Sequence, residues 1–180
     1  NPSLQAQGAQ LVFSTIGLPA GTATEGIITD AATASTSVSF GEVPFATEFE
    51  AGYRLSVNTG ATEGYQVLML SDQSMQNGYG TTLPVIAGTN ASPVSWSTGC
   101  SGLTACFGYH VGDDSLVGGS SRFAPDDSYA AVSSTTFEEI AYSSVPASES
   151  HDIVYKIQVS EEQPAGDYVM GMTFLVIPVF

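Results

Sequence analysis

"AGYRLSVNTGATEGYQVLMLSD", residues 51–72, decides the fold class. Its first half sets Tyr53, Leu55 and Val57 against Arg54, Ser56 and Asn58. Its second half sets Tyr65, Val67 and Met69 against Gln66, Leu68 and Leu70. A period of two is the signature of a strand with one face on a core. The Gly between the halves supplies turn chemistry. The second face of residues 65–70 is less polar, so it is expected to be covered as well.

The same grammar recurs outward in both directions. "AQLVFSTIG" (9–17) reads as a first strand followed by a Pro-Ala-Gly turn, and "TASTSVSFG" (33–41) as a second. Short strands are expected at 82–87, 93–98 and 104–110 within a loop-rich middle, and at 137–144 after it. A helical turn fits Val132–Ile140. "HDIVYKIQVS" (151–160) places Ile153, Tyr155, Ile157 and Val159 on one face. The Pro-Ala-Gly connection beyond it predicts a hairpin with 167–177. Eight or nine strands without helical periodicity predict an all-β fold, an antiparallel β-sandwich of Ig-like or jelly-roll-like character. Residues 1–17 form a leader and candidate donor strand, and 18–180 a single domain.

Hydrophobic residues make up 43% of the 180, and mean hydropathy is slightly positive, so a sizeable core is expected. Only 12% of residues are charged, about half the usual ~25%. Arg54, Arg122 and Lys156 oppose 18 acids, for a net charge of −15. Three scattered cations cannot replace the counterions of a phosphate backbone, which argues against nucleic acid and anionic membranes. The remaining partners are divalent cations, neutral glycans, or another copy of the chain. The longest closing apolar run, Tyr168–Phe180, is 13 residues, too short for a span of ~20. A start at "NPSLQAQ" without Met fits removal of a signal peptide and a secreted chain. Cys100 and Cys106 enclose five residues and are expected to form a local disulfide, as secreted chains allow.

Two segments carry a resemblance. "VSFGEVPFATEFEAGYRLSVNTGATEGYQVLML" (38–70) resembles a pattern of secreted bacterial surface proteins, through Phe40, Gly41, Leu55, Val57, Thr59, Ala61, Gly64, Tyr65 and Val67. "DIVYKIQVSEEQPAGDYVMGMTFLVIP" (152–178) is similar to the last hairpin of those proteins and of WxL-type cell-surface domains. Where a Trp-x-Leu motif belongs, this chain has Thr173-Phe174-Leu175, so peptidoglycan attachment does not carry over. The resemblance, over about a third of the chain, implies a non-enzymatic building block of a surface layer, fibre or pilus.

Candidate sites are few. Ser150, His151 and Asp152 are adjacent, and neighbouring strand residues point to opposite faces, so they cannot converge as a triad. Asp113, Asp114, Asp126 and Asp127 flank a Gly/Ser loop and are the candidate ligands of a calcium ion, which takes about six to eight oxygens. The competing reading is that each Asp opens a turn by bonding its own backbone. Trp96 and the tyrosines are candidates for stacking on cell-wall or host sugars, against the ordinary alternative of core packing. Asn90-Ala91-Ser92 matches a glycosylation acceptor, and Lys156 is expected to be a solvated or capped residue of an outer face.

"LVFSTIG" (11–17) ranks highest: uncharged, strand-forming and preceded by a polar leader. It either completes its own sheet or enters a groove on the next subunit, where Leu11, Val12, Phe13 and Ile16 would insert. Repeated head to tail, the second mode builds a homopolymer, a secreted filament or pilus. A monomeric adhesin that binds glycan or calcium is the alternative.

Overall fold

The computed structural model describes residues 10–113, 115–117 and 122–180. The elements are β1 (Leu11–Gly17), β2 (Ala23–Thr24), β3 (Ile27–Ile28), β4 (Phe49–Thr59), β5 (Tyr65–Ser71), β6 (Val94–Ser95), α1 (Trp96–Gly99), β7 (Ala105–Val111), β8 (Ser128–Tyr129), β9 (Glu138–Ser143), β10 (Ala147–Val159) and β11 (Met172–Pro178). The fold is almost all β, and every named ladder is antiparallel. One sheet runs β1-β4-β10-β7 and a second β11-β5-β9, with two-stranded ribbons β2-β3 and β6-β8.

β4 and β5 form where the period-two pattern placed them. Leu55, Val57, Val67 and Met69 are buried in one apolar cluster that draws on both large sheets. Rings bridge the sheets: Phe174 of β11 lies 5.7 Å from Tyr53 of β4. The Tyr155 hydroxyl of β10 reaches Met69 Sδ of β5 at 3.5 Å. The turn between β4 and β5 depends on Gly64, whose φ of +77° is left-handed. A Cβ there would lie 2.1 Å from the Ser143 carbonyl oxygen. β9 carries a bulge opposite Val67/Leu68, and so buries Glu139, Ile140 and Ala141 in succession.

A smaller cluster of Ile86, Trp96, Cys106 and Tyr129 caps the other face of β7 and β10. The Cys100–Cys106 disulfide ties the end of α1 to β7. No described helix is long and apolar enough to cross a membrane.

Three expectations need correction. β10 does not pair with β11: β4 and β7 occupy its two edges, so the closing strand crosses to the second sheet and pairs with β5. Residues 33–41 hold only an isolated Ala34–Ser37 bridge, and 82–87 no ladder, although Val38 and Phe40 pack on the core. The short helix is Trp96–Gly99 and not within 132–140, where β9 begins.

Candidate functional site

The feature that sequence and structure both single out is the side of the molecule where β1 and β11 lie. β1 contains no charged residue, and the first in the chain is Glu25; β11 and its flanks from Tyr168 onward contain none either. Each strand ends its sheet, β1 beside β4 and β11 beside β5. The two edges are neighbours, because Phe13 of β1 and Phe174 of β11 have ring centroids 6.3 Å apart.

Strand alternation sorts the residues of β1. Leu11 and Phe13 face the core cluster and are half-buried. Val12 and Ile16 point the other way and are 47% and 55% exposed. The four residues expected to insert together therefore split into an inward and an outward pair. Downstream, Gly17 lies against the Thr33 carbonyl, and Leu18 N–H is held by Thr33 Oγ1 at 2.8 Å.

The opposite edges are closed. Ile86 N–H donates to the Phe107 carbonyl of β7, and Tyr109 exchanges two bonds with Ala130. On β9, Asn90 Nδ2 donates to the Glu139 carbonyl at 2.8 Å. Asp113 Oδ2 accepts the Tyr142 N–H at 2.7 Å, and Ser115 Oγ donates to the Tyr142 carbonyl at 3.1 Å. Those side chains take up the row of backbone groups that makes an edge strand adhesive. Among the described residues no backbone hydrogen bond outside the β4 and β5 ladders reaches β1 residues 11–17 or β11 residues 172–178.

The acidic candidates serve loops. Asp113 is 1% exposed, and its Oδ1 accepts both Ser115 N–H and Ser115 Oγ–H at 2.7 Å. Asp126 packs against Gly26, and Asp127 Oδ1 accepts the Trp96 N–H at 3.3 Å. Asp114 lies outside the described residues. Among the described residues no three His, Cys, Asp or Glu side chains gather as a metal site.

Ser150, His151 and Asp152 diverge as alternation requires. Ser150 bonds Ser56 across the ladder at 2.7 Å. Asp152 holds Arg54 in a two-pronged pair at 2.7 and 2.9 Å and accepts the Thr24 hydroxyl at 2.8 Å. Burial alone would raise the Asp152 pKa, but the Arg54 and Thr24 hydrogen bonds outweigh it and the carboxyl sits below its ordinary value. His151 turns to the other face, 3.2 Å from the Tyr65 hydroxyl and 3.6 Å from Asp113. Tyr65 donates to Glu149 at 2.7 Å, and burial pushes its pKa far up, which suits a hydrogen-bonded phenol and not a nucleophile.

Of the two settings expected for Lys156, solvated or capped, the structure has the capped one. Lys156 is 6% exposed, not solvated. Its Nζ lies 2.6 Å from Glu48 and 3.1 Å from Glu50, and 5.3 Å from the ring centres of Trp96 and Tyr129. Trp96 is thereby buried beneath a cation and offers no stacking face; Tyr79, 95% exposed, is the most exposed of the described tyrosines. Asn90 is buried and bonds Tyr109 and Glu139, so it is no glycosylation acceptor in the folded chain. With Arg122 beside Glu139 at 3.5 Å, all three cations pair with carboxylates of their own chain. The only available signal was that each cation had far more acids than it needed.

The chain matches no protein-family model and no curated protein.

Proposed function

We propose that the chain is a structural subunit of a secreted, extracellular bacterial filament, its two large sheets packed face to face as a sandwich. Assembly is non-covalent, by exchange of β1 between neighbours. The observation that carries this reading is the position of β1: a charge-free strand at a sheet edge, its Leu11 and Phe13 only half-buried between β4 and Phe174. A strand held on one side alone can leave without unpicking a sheet, and an identical strand from the next copy restores the same contacts. Exchange also frees Leu18 from Thr33, so that Pro19-Ala20-Gly21, between β1 and β2, is the hinge, Gly21 having a φ of +80°. Phe174 is then one wall of the acceptor groove. The disulfide and the low fraction of charged residues support an extracellular setting.

Deleting residues 1–17 should abolish filaments and leave soluble protein in which the β4 edge is empty, and a peptide of residues 10–17 should bind it. Negative-stain imaging and sedimentation read both outcomes. Filaments of ordinary length from the truncated chain would end the strand-donation reading.

A further inference from the structure

We propose that the free edge of β11 is a second, isologous contact, pairing antiparallel with β11 of another copy about a two-fold axis at Phe174. The inference rests on self-association but not on donation of β1, which uses a different sheet. Hydrogen bonding along β11 can be read from its ends. Asp72 N–H donates to the Gly171 carbonyl, and Val179 N–H to the Gly64 carbonyl. Antiparallel pairs alternate, so the odd residues between them bond β5 and the even ones point away. Met172, Phe174 and Val176 therefore present their N–H and C=O groups outward, and Pro178, which lacks an N–H, follows them.

That spacing fits a register centred on Phe174. With the axis at Phe174, Met172 meets Val176 of the second copy, Phe174 meets itself, and all three outward-facing residues are paired. A shift of one residue toward the C-terminus would put Pro178 opposite Met172 and lose a bond.

The occupant is a second copy because of charge. A chain of net charge −15 repels itself nearly everywhere, and Tyr168–Phe180 is the C-terminal stretch without an acid. Around it lie Val169, Leu175, Ile177 and Phe180, 61%, 42%, 36% and 70% exposed, which flank the ladder with apolar surface. A basic partner would instead favour the acidic loops. The far edges, closed by Asn90, Asp113, Ser115 and Ala130, leave this side as the one open to sheet extension among the described residues.

Residues 173 and 175 of opposite copies form the close, non-hydrogen-bonded pairs in this register, at a separation a disulfide spans. Mixing full-length Thr173→Cys with full-length Leu175→Cys under mild oxidation should give a cross-linked pair, at least tenfold more than either variant alone. Leu175→Glu places two carboxylates beside the axis and should weaken association at least tenfold, leaving the far-ultraviolet spectrum unchanged. The β11 contact fails if the wild-type chain is monomeric up to about 1 mM, where even a contact of about −4 kcal/mol would register. It also fails if Leu175→Glu associates as the wild type does. Monomers with Met172, Phe174 and Val176 amides already protected from exchange would mean that the chain itself covers this edge, and would overturn it too. The donation reading is tested separately, since deletion of 1–17 leaves β11 intact.

Discussion

Lys156 shows how one buried cation organises its surroundings. Burial alone would lower its pKa, but hydrogen bonds to Glu48 and Glu50 and the nearby Tyr129 raise it, so the amine is cationic at neutral pH. The pair is unequal: burial outweighs Lys156 and, with Asp30 adding to it, leaves the Glu50 pKa raised. Lys156→Met should destabilise the fold by about 2 kcal/mol at pH 7, below the 3–5 typical of a broken buried pair because Glu48 is half-exposed. The loss should shrink as pH falls through the raised pKa at which Glu50 takes a proton, and urea midpoints of variant and wild type across pH check both. Asp152 has the opposite sign. Its folded pKa lies below 3.8, so the stability from Arg54 is complete above that value and lost as pH falls through the folded pKa. Asp152→Asn should flatten that acid limb of the urea midpoint.

At the scale of elements, the disulfide is the simplest test of how the cap over β7 and β10 is held. The loop it closes is short, so replacing Cys100 and Cys106 by Ser should cost about 2 kcal/mol by the chain-entropy argument. The cost should appear as loss of the native Trp96 fluorescence before loss of the far-ultraviolet strand signal, because α1 and β6 are pinned to β7 there and the two large sheets are not. β4, β5 and β10 were legible in the chain, as alternation over six or more residues is a local property, and β7 and β9 as β-branched and aromatic segments between turns. Partners were not. The Pro-Ala-Gly turn after β10 implied a hairpin, but twelve residues separate Val159 from Met172, and no free edge remained on β10 to receive them. The open side was legible only in part. Absence of charge in β1 and β11 can be read directly, whereas closure of the far edges depends on Asn90 and Asp113, which lie many residues from the strand they cap.

For the whole molecule, charge and hydrogen-bonding geometry oppose each other. Every cation is consumed internally, so copies meet as net anions, and their approach is resisted by a field that salt shortens from ~30 Å at 0.01 M to ~8 Å at 0.15 M. Edge pairing itself is made of backbone bonds and apolar contact, which salt barely weakens. Self-association should therefore strengthen on adding NaCl, and again as pH falls toward the isoelectric point near 4.1. The same experiment separates screening from calcium binding. Both oxygens of Asp113 are occupied by protein donors, and the described acids do not gather. CaCl2 and NaCl at matched ionic strength should then shift the sedimentation distribution alike. A stronger response to calcium, lost in Asp126→Asn with Asp127→Asn, would instead make the cation part of the assembly.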